Sequence, residues 1–136
     1  MRAIIDLPGV TSSKELALLA IDLLEVMARY NQAFLRKHRV PSIYHLGIRF
    51  RPEPWAGQVE QFASAEPVLR SGWGDCAQLC AVRVAELRNA GNRATFRVYC
   101  RGSWPGQRLF HVQVRHQPTK LYPRGRIEDI SRILNY

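Results

Sequence analysis

The chain has 136 residues and a net charge of +9, with 46% hydrophobic and 23% charged residues. That length fits one domain, 1–136, with a modest core, and that balance excludes wholesale disorder. No stretch approaches the roughly 20 apolar residues that cross a bilayer, and MRAIIDLPGV at the start lacks a secretory apolar region and cleavage site, so no membrane partner and a cytoplasmic protein are expected. Three cysteines, an odd number without an export signal, argue for reduced thiols rather than a disulfide framework. The charge would draw an acidic protein or nucleic-acid surface. The twenty Lys and Arg residues are spread along the chain, with no dense run or recognition-helix signature, so nucleic-acid binding is not expected as the main task.

The first element begins at TSSKELALLA, where Ser12 and Glu15 have capping-box spacing. Leu16, Leu19, Leu23, Met27, Tyr30 and Phe34 then recur at three- and four-residue intervals. That stripe predicts a long amphipathic helix with a core face, ending near Lys37 to Arg39 before Pro41. SIYHLGIRF, 42–50, reads as a short strand weakened by Gly47. Pro52, Pro54 and Pro67 predict a loop over 51–70 with at most one short helix. After the turn-prone Ser71-Gly72-Trp73-Gly74, a helix starts at Cys76 and ends at a left-handed cap on Gly91. ATFRVYCR and LFHVQVRH both alternate, and the SWPG turn between them predicts an antiparallel hairpin. A loop and IEDISRILNY close the chain. Helix, loops, helix and then strands make the class α+β.

Cys76 follows a glycine loop and opens a helix. Unpaired backbone N–H groups and the positive end of the helix dipole favour an anion there, and the thiolate is the nucleophilic form. The face that carries Cys76 also carries Cys80, Val84 and Leu87, so a small buried hydrophobe is the plainer reading. His111 lies on the less apolar side of its strand, opposite Phe110 and Val112. Asp129 is a carboxylate that could fix its tautomer, with Glu128 as the rival. Each residue alone is weak, but a cysteine at a helix start, a strand histidine and then an acid form a more specific order.

That order resembles the transglutaminase-like branch of the papain-like cysteine enzymes, especially the short bacterial and phage forms. The resemblance rests on Gly74-Asp75-Cys76, the helix to Gly91, His111-Val112-Gln113-Val114 and Asp129-Ile130-Ser131, and spans roughly residues 29 to 134. It departs from the family pattern at Ile130, where proline is common. The resemblance implies a papain-like fold, with N-terminal helices packed on a small antiparallel sheet. It also implies Cys76 as nucleophile, His111 as general base and acid, and Asp129 as the orienting acid. Asp75 is expected to cap the helix. An oxyanion hole needs fixed donors: the Cys76 backbone N–H is one, and Tyr44, Trp73 or Gln78 is the second, with Tyr44 preferred by the family's usual arrangement. Trp55 and Trp104 are groove walls or ordinary core. The implied activity is acyl transfer on a protein or peptide substrate, resolved by water (protease or amidase) or by an amine (transglutaminase), with no cofactor and no metal.

Two other readings stand beside it. Cys76 and Cys80, four apart on a helix, could share an ion with His111, although zinc knuckles want a second cysteine pair and only Cys100 remains. Alternatively, the fold is kept and the chemistry lost, leaving a structural or adaptor domain of a virion- or prophage-associated assembly that docks an acidic partner.

Overall fold

The computed structural model describes residues 2–6, 13–52, 59–101 and 109–134. Ser12, Trp55, the SWPG turn with Trp104, and the side chains of Leu16 and Cys100 lie outside that description. The architecture is mixed α+β. Strand β1 (Arg2–Asp6) pairs antiparallel with β3 (Val59–Ala63), and β2 (Arg49–Phe50) pairs parallel with β4 (Trp73–Gly74). Strands β5 (Ala94–Arg101), β6 (Leu109–His116) and β7 (Arg126–Glu128) form an antiparallel sheet in that order. The helices are α1 (Ser13–His38), α2 (Ala65–Ser71), α3 (Cys76–Asn89) and α4 (Ile130–Ile133). Among the described residues no helix is long and apolar enough to cross a membrane.

Helix α1 runs as its spacing predicts, but its buried seam is rotated from the expected stripe. The seam is Ala20, Leu24, Met27, Ala28, Asn31 and Leu35, with Leu23 and Phe34 at its flank and Leu19 exposed. The large residues drew the eye, whereas small alanines hold the centre of the packed face. Asn31 is fully buried in that seam, and its Oδ1 accepts the Ala65 N–H at 2.8 Å. The α1 seam thus holds the first residue of α2.

The expected strand over 42–50 is mostly absent. Ser42 Oγ accepts the Tyr44 N–H and starts a single 3-10 turn, Ile43–His45, and the extended run begins only at Arg49. The 51–70 segment holds β3 as well as α2, more structure than its three prolines suggested. Pro67 sits in the first turn of α2, where its missing N–H has no helical acceptor to lose.

Helix α3 is the central element. Apolar side chains around most of its circumference are buried, from Ala77 and Leu79 through Val82, Val84 and Ala85 to Leu87. Each fully buried valine or leucine contributes about 1.5–3 kcal/mol. It ends as predicted: the Asn92 N–H returns to Leu87 O and the Gly91 N–H to Arg88 O, both at 2.9 Å, with Gly91 at φ +89°. Arg88 grips Glu25 of α1 with two nitrogens at 2.8 and 2.9 Å and donates to Ala94 O at 2.9 Å. One guanidinium thereby joins α1, α3 and the start of β5.

The hairpin follows its alternation. Ala94, Phe96, Val112 and Val114 are buried in the core, and Tyr99 lies opposite His111 in the register. Gly125, at φ +75°, lets the following loop lie against the His116 carbonyl, where a Cβ would collide with it. That close approach sets the start of β7 beside the end of β6, and with it the positions of Glu128 and Asp129.

Candidate active site

Asp75 caps α3 as the sequence predicts. Its carboxylate accepts the Gln78 N–H at 2.8 Å, and Gln78 Oε1 accepts the Asp75 N–H at 3.0 Å, closing a capping box. Cys76 is therefore the first residue of a well-anchored helix, half-buried and packed against the core. Gly74 shapes the entry by packing. A Cβ there would meet Leu79 and Val68 side chains at 3.1 Å, so its smallness lets the loop settle onto the core. Arg49 and Arg51 donate to Gly72 O and Gly74 O at 3.0 and 2.9 Å and fix the loop from the other side.

Cys80, one turn further in, is fully buried and donates to Val112 O at 3.4 Å. Burial pushes its thiol well above the ordinary range, and the nearby Cys76, Asp129, Asp75 and Glu128 push it the same way. Cys80 is thus a packing residue that binds the start of α3 to β6, beside His111.

His111 and Gln113 face away from the buried valines of β6. His111 Nε2 lies 3.1 Å from Asp129 Oδ2, and Gln113 Nε2 donates to the same oxygen at 2.9 Å. Ser131 Oγ donates to the other oxygen, Oδ1, at 2.5 Å. Burial alone would raise the Asp129 carboxyl, but the bonds from Ser131, Gln113 and His111 outweigh it and hold it down to about 2. The carboxylate is ionised at neutral pH and aimed at the imidazole. Tyr99 stacks parallel to His111 with ring centroids 6.4 Å apart, and the Arg97 guanidinium lies 4.5 Å over Tyr99. This face of the sheet therefore carries a cation, an aromatic ring, an imidazole and a carboxylate in sequence. Ile130, the residue after Asp129, is fully buried. Its anchorage in the core, with Leu134 O accepting the Phe50 N–H at 3.0 Å, orients the turn that carries Asp129.

Glu128 serves the opposite face. His116 Nε2 is 2.6 Å from Oε2, the Tyr44 hydroxyl donates to Oε1 at 2.8 Å, and Arg83 Nε lies 3.3 Å from both oxygens. Burial raises the Glu128 carboxyl, and these three partners more than reverse it, leaving it lowered. Arg83 also reaches Glu86 Oε1 at 2.6 Å and lies 4.6 Å over the Tyr44 ring. Burial and the bond to Glu128 push the Tyr44 phenol well above its usual range. Of the expected oxyanion donors, Tyr44 thus has its hydroxyl proton committed to Glu128. Gln78 has its carbonyl end in the capping box, so a donor role would fall to Nε2. Trp73 is half-buried with the Arg51 guanidinium 4.9 Å over its ring.

Gln113 and Ser131 hold the acid in place, and sequence reasoning gave neither a role. Period-two spacing from His111 was a signal for Gln113, and its place two residues after Asp129 was a signal for Ser131. Among the described residues no group of three His, Cys, Asp or Glu side chains is arranged to hold a metal ion. Comparison with protein-family models, with curated proteins and with solved structures found no match.

Proposed function

We propose that the chain is a papain-like, transglutaminase-like cysteine hydrolase acting in the cytoplasm on an amide or ester carbonyl of a protein or peptide. The observation that carries this reading is the cradle of Asp129: an ionised carboxylate held by Gln113 and Ser131 with one oxygen 3.1 Å from His111. A carboxylate so fixed sets the imidazole's tautomer and stabilises its protonated form. In this reading Cys76, the first residue of α3, supplies the nucleophile.

In this mechanism His111 takes the thiol proton and the sulfur attacks the carbonyl carbon. The backbone N–H groups at the start of α3 receive the developing oxyanion. Collapse breaks the carbon–nitrogen or carbon–oxygen bond, His111 returns the proton to the leaving group, and a thioester remains on Cys76. Water, deprotonated by His111, then releases the acid; an amine in its place gives transfer.

Incubation with a p-nitrophenyl ester, followed by intact-mass measurement, tests the reading. An acyl adduct on Cys76 that decays in water, and is absent in Cys76→Ala, is expected; no adduct, or one on another residue, overturns it. Added methylamine separates the two outcomes of the second step, because an amide product marks transfer. The net charge of +9 favours one second reading, a catalytically silent papain-like domain docking an acidic partner in a phage-related assembly. That reading predicts no adduct at all.

A further inference from the structure

A second concave site lies at the other end of α3. It is a cleft of about 430 Å³, within the range of small-ligand sites, roughly 300–1,000 Å³. Its lining residues on α3, Arg83 and Leu87, lie about 10 and 16 Å beyond Cys76 along a helix that rises about 1.5 Å per residue, so the cleft does not include the proposed nucleophile. Arg83, Arg93, Arg126 and His116 line it, and its lining includes no acidic residue. Behind this wall Glu128 and Glu86 hold Arg83, and Glu128 holds His116.

Two guanidiniums are open to solvent, one of them loosely paired. Arg93 is exposed and has no ion-pair partner among the described residues, while Arg126 is 45% exposed and only 3.8 Å from Glu128. An arginine fork matches the oxygens of a phosphate, and two forks in one concavity suit a dianion better than a single carboxylate. The rest of the lining is mixed: Asn92, Gln117 and Thr119 are polar, and Leu87, Pro118, Leu121 and Tyr122 are apolar. Leu121 is 78% exposed and Tyr122 46% exposed, with the Arg126 guanidinium 5.6 Å over the Tyr122 ring. Such exposed apolar side chains beside solvent-open cations fit a ligand with an apolar plane and an anionic end.

The rim is built rather than loose. The Gln117 N–H returns to Arg93 O at 3.0 Å, Thr119 Oγ1 accepts the Tyr122 N–H at 3.0 Å, and the Gly125 N–H returns to Tyr122 O at 2.9 Å. We propose that this cleft binds a small phosphorylated ligand carrying a flat ring, of the nucleotide class, with the phosphate on Arg93 and Arg126 and the ring against Tyr122. The inference is independent of the proposed hydrolase activity.

Amide NMR of the full chain, titrated at about 0.15 M salt so that diffuse attraction is screened, tests it with four probes: adenosine 5′-monophosphate, adenosine, inorganic phosphate and a hexaglutamate peptide. Saturable shifts with the monophosphate are expected, confined to residues 91–93 and 116–126. Adenosine should bind at least about tenfold more weakly, because the charge-assisted bonds are lost. Inorganic phosphate should move the same amides with lower affinity. Arg93→Ala combined with Arg126→Ala should weaken the monophosphate at least about tenfold, with the remaining amide spectrum showing that the variant is folded. Tyr122→Ala should weaken the monophosphate and leave inorganic phosphate unchanged. Equal binding of adenosine and its monophosphate overturns the proposal, as do shifts spread over every exposed arginine or an absence of saturable binding. Tighter binding of hexaglutamate overturns it too, and marks the cleft as a docking surface for an acidic protein.

Discussion

Glu128 ends β7 facing the core side of the sheet, where an arginine, a tyrosine and a histidine close on it. Asp129, the next residue, faces the other side and meets His111, Gln113 and Ser131. Side chains on extended backbone alternate between faces, so one peptide bond separates two carboxylates with different work. Glu128 is 6% exposed, with the Arg83 guanidinium and the His116 imidazole against it; its removal would leave the Arg83 charge without its counter-ion. Asp129 is 17% exposed, beside an imidazole that is 25% exposed and an exposed Arg132 guanidinium 4.0 Å away. The same chemical group is structural on one face and, in the proposed function, orients the proton-carrying imidazole on the other.

The sharpest way to break this comparison is to neutralise each carboxylate in turn and follow ester hydrolysis. Asp129→Asn should lower kcat/KM about 10²–10⁴-fold, the range for loss of the group that orients a catalytic imidazole. Glu128→Gln, assayed below its unfolding temperature, should stay within a few-fold of the parent. Urea unfolding should reverse the order. Glu128→Ala should cost about 3–5 kcal/mol, because Arg83 loses its buried counter-charge and His116 its hydrogen-bond partner, while Asp129→Ala should cost about 1 kcal/mol.

Acid should erode both faces in a defined window. Both carboxyls titrate lower in the folded chain than in the unfolded one, Asp129 at about 2. Their contribution is complete above the unfolded value near 4 and is lost as pH falls toward 2. Urea midpoints measured from pH 6 to pH 2 should therefore fall most steeply below about pH 4. Asp129→Asn should flatten the lowest part of that curve. The smallest effect is expected at Gln113, whose Oε1 is buried without a hydrogen-bond partner. Gln113→Leu removes that orphan acceptor together with one bond to Asp129, so stability should change by less than about 1 kcal/mol. Activity should drop about threefold to tenfold as Asp129 loses one of its supports.

Much of this was legible in the sequence, and the reasons differ by element. The α3 boundaries and the β5–β6 hairpin were readable because local signals set them: the Asp75 cap, the Gly91 terminus and strict alternation. The 42–50 strand was misread because Ser42 offers its hydroxyl to the Tyr44 N–H, a local bond that competes with extension. The β1–β3 pair was invisible because its partners lie more than fifty residues apart and neither run carries a turn between them. The α1 seam was misplaced because packing selected Ala20 and Ala28 over bulkier neighbours. In the site, His111 and Asp129 were named from their order, and the structure brings them together. The rivalry between Glu128 and Asp129 could not be decided from composition; it turned on the register Val114 to Glu128, a tertiary fact. Tyr44, preferred as an oxyanion donor, is instead claimed by that same Glu128.

The central claim is that two cysteines one helical turn apart have separate natures, and alkylation of the folded chain with iodoacetamide tests it most directly. Modification of each thiol is read by mass spectrometry in the parent and in His111→Ala. Cys76 should react at least about 100-fold faster than the buried Cys80, and His111→Ala should slow Cys76 at least about tenfold. Equal rates at Cys76 and Cys80, or a Cys76 rate unchanged by His111→Ala, would contradict the account.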